Sequence, residues 1–227
     1  MRVALIHYWL VGMRGGEKVL EALARFFPDA VIFTHVYDPD AVSPALRQMD
    51  IRTTWISKLP GATHHYQKYL PLMPRALEDL DLTGFDLVIS SESGPAKGVI
   101  VPPDAVHICY CHSPMRYIWD QYHVYRQSAG GLTKLLMPHV AHRLRQWDVS
   151  SATRVDAFMA NSSYVAQRIE KYWRRDASVV HPPVAVSDFT PSANYDDFYL
   201  WVGELVAYKK PDLAVEAFTK LGKPLKV

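Results

Sequence analysis

His112 is the side chain whose type and position most invite chemistry. It follows the apolar stretch 106–111 (VHICYC), and Ser113-Pro114 turns the chain straight after it. Such a stretch reads as a buried strand, and open α/β sheets hold their ligands beyond the carboxyl ends of their strands. An imidazole there can orient a polar substrate, or it can serve only as a structural hydrogen-bonder. Gly15 and Gly16 form the second feature, between an apolar run and an amphipathic segment. They remove Cβ atoms where a ligand could approach, and a helix starting behind them points N–H groups and partial positive charge at the same spot. A ligand-free strand-to-helix turn would use the same glycines. Their spacing is not G-x-G-x-x-G, which argues against a nicotinamide enzyme.

Lys209 and Lys210 precede Pro211, a favoured residue for the first turn of a helix. A lysine beside a helix N-terminus can clamp a diphosphate, although a solvated lysine pair would look the same. The stretch 115–147 sets Arg116, Arg126, Lys134, Arg143 and Arg145 among Tyr117, Trp119, Tyr122, Tyr125 and Trp147. Basic residues among aromatics can seat a helix on an anionic membrane or bind sugars and phosphates. Equally, they describe a solvated helix with aromatics in the core. His107, Cys109 and Cys111 share one strand face while His112 points the other way, and no second ligand pair follows, so zinc is not expected.

These groups need a framework, and the hydrophobic pattern supplies one. Residues 3–9 read as a continuous buried strand. The glycine turn, a helix from about Gly16 to Phe27 and strands at 30–34 and 51–55 follow. A proline-kinked helix is predicted within 59–82, strands at 86–90 and 106–111, and a helical stretch over 115–147 interrupted near Gly130-Gly131 and at Pro138. A strand at 156–160, a helix capped by Asn161 or Ser162 and a short strand at 178–181 complete the pattern. After a polar, proline-marked linker, a strand at 198–203, a helix at 211–221 and part of another strand open a second unit.

The 227 residues suffice for one well-cored α/β domain and part of another. The formal charge of +2 gives no basis for bulk nucleic-acid binding. With two cysteines too close for a good disulfide, a reduced cytoplasmic location fits, and the apolar N-terminus is too short to span a bilayer.

Five segments, in order, carry a resemblance: GGEK (15–18), YCHSPMRYIWD (110–120), ANSSYVAQRI (160–169), VVHPPV (179–184) and VGELVAYKKPDLAVEAF (202–218). Together they resemble the retaining glycosyltransferases of family 4, particularly the mannosyltransferase-like branch that builds bacterial surface polysaccharides. The resemblance implies a GT-B N-terminal domain, a Rossmann-like doubly wound parallel sheet at 1–182. A linker at 183–197 and an incomplete second Rossmann-like domain at 198–227 would follow. It implies a hexosyl (mannosyl-like) transfer, with retention and without a metal or other cofactor. The donor would be a nucleotide diphosphate sugar, with GDP-mannose the candidate, and the acceptor a glycan or lipid-linked hydroxyl.

By the same resemblance His112 contacts the transferred sugar, Gly15 and Gly16 border the phosphates, and Lys209 grips the diphosphate. Arg116, Tyr117, Arg143 and Arg145 become candidates for acceptor or peripheral membrane contact at the inner face of the cytoplasmic membrane. Glu204 stands where the family usually has an arginine, and the family's pair of glutamates seven residues apart would lie beyond Val227. The donor half is therefore expected to be truncated. The alternatives are a non-catalytic acceptor- or membrane-binding module and a nucleotide-sugar epimerase on a similar scaffold.

Overall fold

Strand β1 (Val3–His7) is five residues long and buried throughout, as a strand covered on both faces must be. In the computed structural model, the structure describes residues 1–191, 193–194, 196–206 and 209–227. Ser192 and Tyr195 of the expected linker, and Ala207 and Tyr208 of the segment 202–218, lie outside the described residues. The chain divides into two units, Met1–Pro183 and Val184–Val227.

In the first unit β1 leads into α1 (Gly15–Phe26), β2 (Val31–Thr34), α2 (Pro44–Arg47) and β3 (Asp50–Thr53). Helices α3 (Ala62–His65) and α4 (Met73–Glu78) lead to β4 (Leu87–Glu92) and β5 (Val106–Cys111). Then come α5 (Tyr122–Ser128), α6 (Gly131–Ala152), β6 (Ala157–Ala160), α7 (Ser163–Trp173) and β7 (Ser178–Val179). Among the described residues, the seven strands form one parallel sheet in the order β3-β2-β1-β4-β5-β6-β7. This is the Rossmann-like α/β class expected.

Alternation along the central strands feeds two cores. Val3, Leu5, Ile32 and Ile89 pack with Leu20 and Ala24 of α1. Ala4, Ile6, Phe33 and Val88 pack with Leu77 of α4 and Trp147 of α6. Beyond them, Cys109, Cys111 and Phe158 meet Val165, Ile169 and Trp173 of α7, whose start is capped by Ser162 accepting the Val165 N–H at 3.3 Å.

Two expectations for the first unit are corrected. The segment 59–82 is not one kinked helix but short pieces, with 3₁₀ turns at Trp55–Lys58 and Tyr66–Leu72 flanking α3 and leading into α4. Gly61, at φ 59°, starts α3, and Pro71 and Pro74 remove N–H donors from any longer ladder. Conversely, Pro138 does not interrupt α6. The carbonyl it cannot serve belongs to Lys134, an exposed residue that water can reach. The break at Gly130-Gly131 is present.

The second unit contains β8 (Tyr199–Leu200), α8 (Pro211–Leu221) and β9 (Leu225–Lys226), the two strands being parallel. Tyr199 packs on Phe218 with ring centroids 4.9 Å apart. The expected strand at 198–203 is thus only two residues long. Among the described residues, no helix is long and apolar enough to cross a membrane.

Candidate functional site

The strand order reverses direction between β1 and β4, and at such a switch point adjacent connections leave on opposite faces and open a crevice. His7 ends β1 and Ser91 lies near the end of β4, paired in register. His112 follows β5 on the neighbouring strand.

A row of side chains links them. Ser91 Oγ lies 2.8 Å from His112 Nε2 and 3.1 Å from His7 Nδ1. His7 Nε2 faces Glu17 Oε1 of α1 at 3.6 Å, and Glu17 Oε2 accepts the Arg14 N–H at 3.0 Å. Glu17 therefore serves twice, as a cap on the first helical turn and as the end of the row. His7 and Ser91 are fully buried. His112 is also held by its backbone: its N–H donates to the Glu92 carbonyl at 2.8 Å, and its carbonyl accepts from Asn161 Nδ2 at 3.1 Å. Tyr110 meets the imidazole edge-on, with centroids 5.2 Å apart.

Burial, assisted by His7 and opposed by Glu17, lowers the His112 pKa to about 4. The ring is neutral at pH 7, so it can exchange hydrogen bonds with a substrate but supplies no charge to a phosphate. Burial raises the Glu17 carboxyl, but hydrogen bonding and charge from His7, with the N–H groups of Glu17 and Arg14, outweigh it and hold the pKa below the usual carboxylate value. The Tyr8 phenol is raised well above its ordinary value by burial and then by Glu17.

The start of α1 belongs to this cluster. A Cβ on Gly16 would strike the Tyr8 hydroxyl and lie 3.5 Å from His7 Cε1, whereas Gly15 faces open space. Gly16 is thus required by the tyrosine packed against it, a reason the sequence alone did not reveal. His112, Gly15 and Gly16 come together at the carboxyl ends of the central strands.

The other candidates are placed differently. Arg116 is half-buried with its Nε 3.4 Å from Ser113 Oγ, and the Tyr117 hydroxyl is buried without a hydrogen-bond partner. Arg145 donates from Nε to the Ile118 carbonyl and lies 4.8 Å over the Tyr122 ring, so it braces the loop before α5. Arg143 is exposed and lines a cavity of about 330 Å³ with Pro71, Pro74, His139, Val140, Leu144 and Trp147. In the second unit Lys209 is exposed, two residues before α8.

His7, Glu17 and Ser91 were not anticipated, nor was a buried ion cluster behind β4. Lys97 Nζ contacts Asp148 Oδ1 and lies 3.6 Å from Glu92 Oε1, and all three side chains are fully buried. Asp148 Oδ2 accepts the indole N–H groups of Trp119 and Trp173, both at 2.8 Å. The signal was the stretch SESGPAK (91–97), where a lysine sits among small residues after an apolar strand. Among the described residues, no group of three or more His, Cys, Asp or Glu side chains could hold a metal ion.

Sheet and site together define a Rossmann-like α/β protein with His112 and the start of α1 beside the switch point between β1 and β4. The chain belongs to Glycosyltransferase Family 4, whose profile matches residues 13–188. No curated protein sequence matches it. Among solved structures, a variant of Os79 from O. sativa in complex with UDP is similar at 13% identity and a TM-score of 0.51, covering 99% of this chain and 66% of that one. Alr3699/HepE from Anabaena, also in complex with UDP, is similar at 12% identity and a TM-score of 0.47, covering 98% of this chain and 50% of that one. The likeness to Os79 shows the shared fold. The chain spans about half to two thirds of the length of these structures.

Proposed function

We propose that the chain is the acceptor-side part of a retaining hexosyltransferase, mannosyl-like in specificity. It would use a nucleotide diphosphate sugar and a glycan or lipid-linked hydroxyl. The observation that carries this reading is the placement of His112, held by Ser91 and Asn161 at the carboxyl ends of the central strands beside the first turn of α1. Family membership supplies the reaction class, and UDP bound to Os79 and to HepE makes a nucleotide ligand the natural first probe.

In this reading His112 orients a hydroxyl of the transferred sugar. As the glycosidic bond breaks, negative charge gathers on the departing diphosphate and must be met by donors already in place. In the first unit, Gly15, Gly16 and the N–H groups that open α1 supply such donors. In the second unit, Lys209 is the candidate for a phosphate contact of its own. The acceptor is brought by the α5–α6 region at the inner face of the cytoplasmic membrane. The exposed Leu132, Leu135 and Leu136 share a helical face with His139 and Arg143.

The test is incubation of the protein with a panel of nucleotide diphosphate sugars and lipid-linked glycans. Product mass and anomeric configuration are then read by mass spectrometry and NMR. Transfer of a hexosyl group with retention is expected. Product formation without an acceptor would indicate an epimerase instead, and binding of acceptor or vesicles with no turnover of any donor would indicate a binding module.

A further inference from the structure

We propose that Glu17, His7 and Ser91 are positioning residues that decide which ring nitrogen of His112 carries its proton, and hence whether His112 meets a substrate as acceptor or donor. The observation is the row Glu17–His7–Ser91–His112: hydrogen bonds of 3.1 and 2.8 Å join His7, Ser91 and His112, and the Glu17 carboxylate faces the otherwise unpartnered His7 Nε2 at 3.6 Å, where it acts through its charge. Glu17, His7 and Ser91 are 2%, 0% and 0% exposed, so water does not compete along most of the row.

The serine makes the row directional. Its hydroxyl has one proton and lies between two imidazole nitrogens, so it donates to one and accepts from the other. The charge of an ionised Glu17 beside Nε2 favours the His7 tautomer protonated there. The Nδ1 of a neutral His7 is then a lone pair and takes the Ser91 proton. Ser91 Oγ accepts in turn from His112 Nε2–H, and His112 Nδ1 is left as an acceptor. A substrate hydroxyl would donate to it.

A donor in place of the Glu17 carboxylate reverses each bond. The His7 proton then sits on Nδ1 and donates to Ser91, and Ser91 donates to His112 Nε2. The proton on that nitrogen leaves to solvent while another is taken up at Nδ1, which becomes a donor. No proton is gained overall, and each imidazole keeps one. Besides Glu17, the charged or titratable groups near the row are the Tyr8 and Tyr110 phenols, Arg14 and Glu92.

Glu17→Gln tests the direction. The Arg14 N–H, now bonded to Glu17 Oε2 at 3.0 Å, claims the carboxamide oxygen. That turns the amide NH₂ toward His7 Nε2, so a donor replaces an acceptor and the row should reverse. The measurement is two-bond ¹H–¹⁵N correlation of the histidine rings in ¹⁵N-labelled protein at pH 7.5, with resonances assigned by His7→Gln and His112→Gln. Wild-type protein is expected to show His112 protonated at Nε2, and Glu17→Gln to show it at Nδ1. In Ser91→Ala/Glu17→Gln, the second change should no longer move the His112 proton relative to Ser91→Ala.

A wild-type His112 protonated at Nδ1 would overturn the proposal even if no variant folds. So would an unchanged tautomer in a folded Glu17→Gln protein. Only the catalytic consequence rests on the transferase reading. There Glu17→Gln should lower kcat at least tenfold with little change in donor KM. A reversed tautomer in a protein that transfers no sugar would support the relay and sink the transferase reading. An unchanged tautomer in an active transferase would do the opposite.

Discussion

The backbone N–H of His112 donates to the carbonyl oxygen of Glu92 at 2.8 Å, while the Glu92 carboxylate accepts the N–H groups of Ala96 and Lys97 at 2.8 and 2.7 Å. One residue thus joins His112 to the buried ion cluster. Around that cluster, Asp148 ties α6 to α7 through Trp173 and to the loop after β5 through Trp119. Lys97 also lies 4.2 Å from the Trp173 ring centroid. Burial lowers its pKa, but Asp148 and Glu92 outweigh that and raise it to about 12, so it remains a cation.

Lys97→Met should therefore be strongly destabilising. The methionine fills similar space but leaves Glu92 and Asp148 buried together without their cation. Removing one member of a buried ion pair costs about 3–5 kcal/mol. Urea unfolding followed by tryptophan fluorescence measures this, and a loss below about 1 kcal/mol would show that the cluster is not needed for stability.

At α1, Gly16→Ala should cost about 1–3 kcal/mol through overpacking against the Tyr8 hydroxyl. Tyr8→Phe removes that oxygen, and the added Cβ then finds the ring carbon at 3.4 Å, a tolerable distance. A double-mutant cycle should recover most of the loss. Additive effects would place the strain elsewhere.

Stability should fall between pH 6 and pH 5. Burial lowers the pKa values of His35, His107 and His112 from 6.5 to about 4, so the unfolded chain takes up their protons first. Their stabilising contribution is complete above pH 6.5 and is lost as the pH falls toward 4. Glu92, raised by burial to about 7, has the opposite sign because the folded state binds its proton first. The net excess of two protons on the unfolded chain predicts a slope of about 2–3 kcal/mol per pH unit. Urea midpoints at pH 7, 6 and 5 would reveal it, and a flat profile would contradict it.

Arg143 and Arg145 should separate in a vesicle experiment. Arg143→Glu is expected to reduce co-sedimentation with anionic vesicles, because that side chain is exposed beside the leucine face of α6. Arg145→Gln should instead lower the melting temperature with binding retained, since the guanidinium braces Ile118 and Tyr122. Equal loss of vesicle binding in both, with no change in stability, would refute the division.

Lys209→Ala should weaken donor use by about 2–3 kcal/mol in kcat/KM if a charge-assisted phosphate contact is lost. Unchanged donor kinetics would remove Lys209 from the proposed diphosphate site.

The elements were legible where the local pattern is strong. The stretch VHICYC appears as the whole of β5, and the segment capped by Ser162 became α7 at nearly its expected length. The piecewise path from Trp55 to Glu78 was not legible, because successive short turns have too little length for a hydrophobic period to show. Uninterrupted α6 was missed for another reason. Whether Pro138 breaks a helix depends on whether the carbonyl of Lys134 can find water, which is a property of the surface.

His112 could be singled out from the sequence because its strand, its turn and the family-like motif are all local. The reading of Gly15 and Gly16 as a helix start had the same basis. His7 and Ser91 had no such signal: 84 residues separate them, and their meeting depends on β1 and β4 being neighbours. Glu17 lay inside the GGEK segment, but nothing local pointed it at His7. Lys97 and Asp148, 51 residues apart, likewise become a pair only when α6 packs behind β4. Local periodicity determined which segments became strands and helices. The strand order decided which polar groups would share one buried place, since parallel pairing joins strands by position in the sheet and not by distance along the chain.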